Sequence, residues 1–250
     1  YAIAAGLSEM IEFLEQLHFD KEDIDYLRSK NQFSEEFLQY LADFKFECDV
    51  YAVEEGTPVF PNEPLVTVKG PAIQAQLLET MLLLTINHQS LIATKANRIV
   101  RAAQGRPVFE FGSRRAQGSN AAILGARAAF VGGCAGTACA CCEQLYGIPA
   151  VGTMAHSWIQ MYDTELEAFE AYARYYPDNC ILLVDTYNVV KSGIPNAIKA
   201  YENVLKPLGK RLKGIRIDSG DITYLTKKVR KMLDDAGLED CTIFISNSLD

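Results

Sequence analysis

Gly214-Ile-Arg-Ile-Asp-Ser-Gly-Asp221 decides how this chain folds. A short apolar strand, Leu212 to Ile217, runs without pause into Asp218, Ser219, Gly220 and Asp221, and an amphipathic helical pattern follows. Arg216 lies inside the strand, where burying a charge is costly unless it meets an anion. An arginine, two aspartates and a tight Ser-Gly turn at the carboxyl end of a strand make a site for an anionic, hydroxyl-rich ligand.

The same design recurs on either side of this stretch. Apolar strand candidates fall at 107–111, 129–132, 148–152, 180–184, 212–217 and 241–245, with helix-length segments between most of them. One such segment opens at Thr164, which stands at capping-box spacing from Glu167. Short apolar strands separated by helices call for a parallel sheet covered on both faces. Successive βα units suit an irregular, TIM-like βα barrel, with an open doubly wound sheet as the alternative.

Upstream the character changes. Residues 8 to 47 read as helical, with Ile11, Leu14 and Leu17 on one face and a second helix from Ser34. Residues 49 to 70 hold β-branched runs broken by Gly and Pro, the pattern of small antiparallel strands. A long helix is expected from about Ala72 to Ala103, with Leu77, Met81, Leu84, Leu91 and Ile99 as its apolar surface. The expected fold class is therefore α/β, with a smaller α+β N-terminal domain over 1–106 and a barrel portion over 107–250. The chain opens at Tyr1 without an initiator Met and stops in a strand-end loop, so it reads as an internal fragment whose barrel continues beyond it.

Composition excludes several classes. The net charge of -8 and scattered Lys and Arg argue against a nucleic-acid binder, which needs a basic stripe. Lys227, Lys228, Arg230 and Lys231 read as the wet face of a helix. No apolar run approaches the roughly 20 residues that span a bilayer. Seven cysteines, an odd number, do not form a disulfide framework, and a reducing, cytoplasmic setting fits better. Cys134, Cys139, Cys141 and Cys142 crowd one segment, but no second Cys pair or nearby histidine completes a zinc set. Small buried residues at a helix start are the better account of them. His18 and His88 have no companions and read as incidental.

In a βα barrel the chemistry sits on the loops after the strands. Those loops carry Arg114 and Arg115, Cys134 to Ala138, Thr153 to Trp158, Asp185 to Asn188, Asp218 to Asp221, and Ser246 to Ser248. Arginines and backbone N–H groups at helix starts hold phosphate or carboxylate. Carboxylates accept ribose hydroxyls or help hold Mg²⁺. A histidine there binds phosphate, shuttles protons or acts as a nucleophile. Taken singly, each has a plainer role: Arg114 or Arg115 a surface arginine, His156 a structural histidine, Phe111 a core residue, Asp185 a helix cap. Their joint placement after successive strands is what those plainer roles do not predict.

These loops resemble the motifs of the nicotinate phosphoribosyltransferase family. The likeness rests on Glu110-Phe-Gly-Ser-Arg-Arg-Ala-Gln-Gly118, Gly152-Thr-Met-Ala-His-Ser-Trp158, Val184-Asp-Thr-Tyr187, Gly214 to Asp221 and Ile245-Ser-Asn-Ser-Leu-Asp250. It extends to Tyr1 through Leu7, Glu55 through Pro61, Glu79 through Leu83 and Ala93 through Ala96, so it covers essentially the whole chain. The resemblance implies a type II phosphoribosyltransferase fold, an irregular barrel with a second domain built partly from the N-terminal region. It implies transfer from phosphoribosyl diphosphate to nicotinate, giving nicotinate mononucleotide and diphosphate, with Mg²⁺ and with ATP hydrolysis coupled through a phosphohistidine. It also implies a homodimer with a shared active site.

By that resemblance His156 is the phosphorylated histidine and, with Asp218 and Arg216, forms the catalytic set. Phe111 stacks on the pyridine, Thr153 and Arg216 contact nicotinate, and Arg114 and Arg115 lie where its carboxylate or the diphosphate binds. Asp185 and Asp218 fall where ribose hydroxyls and the Mg²⁺-diphosphate are handled. Ser157 and Ser219 join the substrate-binding set, and Ser246 and Asn247 begin the phosphate-binding side. Ala138 bears on substrate choice, because the nicotinamide-using sister family carries an Asp in this loop and a carboxylate would repel nicotinate. The family's N-terminal aromatic and its glycine-rich phosphate loop have no counterpart in these residues, so the fragment alone is expected to be a poor catalyst. Nicotinamide and quinolinate phosphoribosyltransferases are the near alternatives. A lipoyl-like carrier built on residues 49 to 70 around Lys69 and a non-catalytic ligand-binding barrel are the remote ones.

Overall fold

The computed structural model describes residues 1–246 and 249, which divide into two compact units, Tyr1–Val151 and Gly152–Asp250. Asn247, one of the expected phosphate-side residues, lies outside the described residues. The fold is mixed α/β. Its strands form separate sheets of two or three, and among the described residues they do not close into a barrel.

The first unit begins with β1 (Ala2–Ile3), followed by α1 (Leu7–Gln16), α2 (Lys21–Ser29) and α3 (Glu35–Ala42). Asp20 caps α2 in a capping box with Asp23, and Ser34 caps α3 by accepting from the Phe37 N–H. On α1 the buried residue is Met10, whereas Ile11, expected inward, is 46% exposed. β2 (Asp49–Ala52) and β4 (Val66–Lys69) pair antiparallel, as expected of 49–70, whereas β3 (Pro58–Val59) pairs antiparallel with β1, a strand not expected from the sequence. Glu55, between β2 and β3, accepts from the backbone N–H groups of Gly6 and Leu7 and from Arg127 at 2.6 Å. That ion pair is largely buried, and burial works to raise the Glu55 carboxyl. The arginine and the two N–H donors outweigh burial and hold it below its ordinary range.

The long helix α4 (Ala72–Ala102) lies where the sequence puts it, but with its faces exchanged. Gln89, Ser90, Ala93 and Thr94 are buried, while Leu84 and Leu91 are each 64% exposed. The reason is the edge of β1, whose N–H groups need acceptors. Ile3 donates to Thr94 Oγ1 at 2.8 Å and Ala5 donates to Ser90 Oγ at 3.1 Å. Periodicity of leucine alone could not show that a neighbouring backbone would claim the polar side.

After α4 come β5 (Phe109–Glu110), α5 (Ser119–Val131), β6 (Gly136–Thr137) and α6 (Ala140–Tyr146). The expected strand at 129–132 is therefore mostly the last turn of a helix. Alanine dominates that segment and is the best helix former, and Ala126, Ala128 and Ala129 are buried. The strand is instead β6, which pairs in parallel with β5. Of the expected strand at 148–152, only Ala150 makes a β-bridge, to Thr137. Pro149, which has no N–H to give a ladder, precedes it.

The second unit holds α7 (His156–Gln160), α8 (Glu165–Tyr175), β7 (Ile181–Leu183), α9 (Ile194–Ala200), β8 (Gly214–Ile217), α10 (Ile222–Asp235) and β9 (Thr242–Ile245). The capping box of Thr164 and Glu167 opens α8 as read from sequence. β7, β8 and β9 lie side by side in parallel, with Leu183 opposite Arg216 and Arg216 opposite Phe244. Phe169, Leu182, Ile215, Ile217, Val229 and Leu233 pack around this sheet without exposure. Val184, just past β7, is thus level with the strand ends Ile217 and Ile245, and the segments that follow emerge together.

A π-helical turn at Val189–Gly193 leads into α9, and it presses against the end of β7. A Cβ added to Gly193 would lie 1.9 Å from the Val184 carbonyl oxygen, a backbone atom that cannot step aside. Gly193→Ala is therefore expected to cost about 1–3 kcal/mol through overpacking. A urea denaturation midpoint unchanged from the parent would show that this approach is not as close as the fold requires.

Candidate active site

The carboxyl ends of three adjacent parallel strands, at Leu183, Ile217 and Ile245, deliver Asp185, Asp218 and Ser246 to one edge of the second unit. The chain makes this possible because apolar residues fill each strand up to its last position and polar ones follow at once. Arg216 reaches the same edge from within β8. Its Nε donates to Ser246 Oγ at 2.8 Å, one terminal nitrogen to Thr153 Oγ1 at 2.7 Å, and the other to Asp218 Oδ1 at 2.7 Å. The Arg216 side chain is only 16% exposed, so these partners answer the cost of a charge in the strand. Ser246 Oγ also donates to Asp218 Oδ1.

Burial works to raise the Asp218 carboxyl, but the Ser246 hydroxyl and the Arg216 guanidinium outweigh it and hold the group below its ordinary value. Asp185 is almost completely buried. Its Oδ2 accepts from the Asp218 N–H at 3.0 Å and from Ser219 Oγ at 2.5 Å, while its Oδ1 has no hydrogen-bond partner. Gly220 makes this turn possible with φ +86°, a left-handed conformation that suits glycine.

His156 opens α7 and faces these carboxylates. Its Nδ1 is 3.0 Å from Thr186 Oγ1, and its Nε2 is 3.5 Å from Asp218 Oδ2 and 4.0 Å from Asp185 Oδ1. At 41% exposure the imidazole is accessible to a ligand while its orientation is fixed from both nitrogens. A histidine held this way can exchange protons or attack an electrophile. Thr153, His156, Asp185, Arg216, Asp218, Ser219 and Ser246 are thus brought into one cluster. Ser157, the next residue of α7, is exposed, and no hydrogen bond is described for its side chain.

The remaining expected residues belong to the first unit. Phe111, 40% exposed, follows β5, and Arg114 and Arg115 lie in a short 3₁₀ turn after it. Ala138 is exposed at the end of β6 and donates its N–H to the Glu110 carbonyl at 2.8 Å. Glu110 also accepts from Thr137 Oγ1 at 2.6 Å. Arg115 borders a cleft of about 690 Å³ between α4 and α5 that His88 and Glu9 also line. His88, read as incidental, therefore sits at a cavity wall.

Sequence reasoning did not assign parts to Thr186, Glu110 and Thr137. Thr186 directly follows Asp185 within a quoted motif, and its position beside a strand end was the available signal. The link between Glu110 and Thr137 depends on strand pairing, which spacing does not reveal.

The model of the nicotinate phosphoribosyltransferase N-terminal domain matches residues 1–87, and the model of the nicotinate phosphoribosyltransferase family matches residues 107–248. The chain belongs to the nicotinate phosphoribosyltransferase family. A nicotinate phosphoribosyltransferase of Mycobacterium tuberculosis is 49% identical over 252 residues, covering 100% of this chain and 53% of that protein. One of Bacillus subtilis is 45% identical, covering 100% of this chain and 50% of that protein. The chain spans about half the length of the curated relatives it matches. Among solved structures, human nicotinic acid phosphoribosyltransferase aligns with a TM-score of 0.88 at 30% identity, over 100% of this chain and 61% of that one. A nicotinate-nucleotide pyrophosphorylase from Pyrococcus furiosus aligns at 0.76 and 28%, over 100% of this chain and 56% of that one.

The depressed Asp218 carboxyl gives a stability prediction for this phosphoribosyltransferase-family chain. A group whose folded value lies below its unfolded one, about 3.9 for Asp, stabilises the fold above that pH. The contribution is lost as pH falls through the lower folded value. Asp218→Asn should cost about 1.5–3 kcal/mol at pH 7, the scale of hydrogen bonds to charged groups. Denaturation curves of parent and variant should converge as pH is lowered below about 4. A difference that stays constant down to acid pH would mean that the charge on Asp218 does not matter to the fold.

Proposed function

We propose that the protein containing these residues transfers the phosphoribosyl group of phosphoribosyl diphosphate to nicotinate, yielding nicotinate mononucleotide and diphosphate. The observation that carries this reading is the cluster of Arg216, Asp218, Asp185 and His156 at the strand ends of a member of this family. The named relatives and the human structure support the same reaction.

In this reading loss of diphosphate from the anomeric carbon builds positive charge on the ribose ring, and an acidic strand edge is suited to stabilise it. Asp185 and Asp218 accept ribose hydroxyls, and Arg216 with Thr153 and Ser246 binds the anionic partner. Ser246 and Asn247 begin the phosphate-binding side, and Ser157 and Ser219 belong to the substrate-binding set. In the first unit Phe111 is assigned to stacking on the pyridine and Arg114 and Arg115 to binding its carboxylate or the diphosphate. Ala138 leaves its loop without the carboxylate that would repel nicotinate.

Asp185 and Asp218 fit Mg²⁺, since they supply hard oxygen donors and Asp185 Oδ1 is buried without a partner. Among the described residues no group of three such side chains could hold a metal alone, so substrate phosphates would complete its coordination. When bound, Mg²⁺ neutralises charge on the diphosphate. His156 takes the γ-phosphoryl group of ATP, releasing ADP, and loses it to water in each cycle. Thr186 and the two carboxylates fix the ring for that exchange.

For the architecture we propose the irregular TIM-like βα barrel, with the domain division at 106/107. Parallel strand pairs in both units and the separate matches to 1–87 and 107–248 support it. A homodimer with a shared active site and a cytoplasmic setting complete the reading, the latter resting on the odd count of seven cysteines in the sequence. No helix among the described residues is long and apolar enough to cross a membrane.

The test supplies the intact reading frame with phosphoribosyl diphosphate, Mg²⁺ and ATP, with nicotinate or nicotinamide in separate reactions. Nicotinate mononucleotide should form together with ADP, and His156→Ala should abolish the ATP-dependent part. Product from nicotinamide alone would transfer the protein to the sister activity. No product from either substrate would remove the function.

A further inference from the structure

Cys139 and Cys142 stand outside everything assigned above, and their placement is unusual. Cys139 is the N-cap of α6 and Cys142 its third residue, so the pair has Cys-x-x-Cys spacing across the first turn of a helix. The Cys142 N–H donates to the Cys139 carbonyl at 2.9 Å, which fixes that turn. Ideal helix geometry sets the two Cα atoms about 5 Å apart, inside the range that a disulfide spans. The side chains pack on the same apolar cluster with Ala126, Ile148 and Ile123, where the Cys142 thiol donates to the Ile123 carbonyl at 3.4 Å. Their exposure differs: Cys142 is fully buried, Cys139 is half-buried, and Cys141 points outward.

We propose that Cys139 and Cys142 form a reversible disulfide, with small-molecule disulfides as the oxidant. The accessible Cys139 thiolate attacks one sulfur of the oxidant, forming a mixed disulfide and expelling one thiolate. Cys142 then gives up its proton, attacks Cys139 Sγ and expels the second thiolate. One disulfide is reduced to two thiols while the protein pair loses two electrons and two protons. Burial pushes the Cys142 thiol up to about 12, which disfavours its thiolate and keeps it out of the first step, and only its place one helical turn from Cys139 makes the second step feasible. The site does not depend on the substrate reading. The Cys139 N–H donates to Thr137 Oγ1 at 2.9 Å, so closure would pin the end of β6 beside Ala138.

The intact protein would be incubated with oxidised glutathione, acid-quenched, alkylated, digested and sequenced by mass spectrometry. The peptide spanning Cys139 to Cys142 should be lighter by two hydrogens, with Cys141 alkylated and neither partner alkylated, and reductant should restore both sites. In Cys142→Ala, checked for folding by circular dichroism, glutathione should remain on Cys139. Cys139→Ser should carry no adduct at Cys142. Full alkylation of both residues after oxidation, or a bridge through Cys141, would overturn the proposal.

Discussion

The second unit depends on a charge placed inside a parallel strand. Arg216 sits in β8 between two neighbours, and its side chain is mostly withdrawn from water. A guanidinium there is stable only if its donors meet acceptors. Asp218 from the same strand, Ser246 from the next strand and Thr153 ahead of α7 meet it at 2.7–2.8 Å. Those partners must then lie level at one edge, which requires the observed register of β7, β8 and β9. The arginine therefore constrains register, and the polar edge follows from it.

The first unit solves a different problem with similar means. Its N-terminal strand is only two residues long and cannot bury enough apolar area to hold itself. α4 supplies hydroxyls from Ser90 and Thr94, and Glu55 receives the next two N–H groups while pairing with Arg127 of α5. Fixing these backbone groups takes the polar side of α4 inward and turns Leu84 and Leu91 outward. A leucine stripe is usually the inner face of a helix. Here backbone satisfaction overrides that preference.

What was legible in the sequence follows this distinction. Strands ending in polar motifs, such as Ile217 into Asp218 and Val184 into Asp185, were readable because burial and site chemistry meet at one boundary. The capping box at Thr164 and the small strands of 49–70 were readable because their signals are local. The segment 129–132 was not, since Phe130 and Val131 look strand-like unless the preceding alanines are known to pack on α4. Ile11 and the faces of α4 were not legible for a related reason: each depends on which backbone lies alongside. Thr186 stood in plain view beside Asp185, but its contact with His156 joins segments 30 residues apart.

The two aspartates nearest His156 differ in a way that gives the site direction. Asp218 is answered by a full positive charge and a hydroxyl, so much of its negative charge is already matched. Asp185 is answered only by neutral donors, and they satisfy just one of its oxygens. The unsatisfied oxygen is buried and lies 4.0 Å from His156 Nε2. A buried carboxylate oxygen without a partner costs free energy that an incoming cation would relieve. Attraction for positive charge is thus concentrated beside Asp185, while Arg216 sets the attraction for anions at the neighbouring strand. Separating the two by one strand sets both kinds of charge along a single edge.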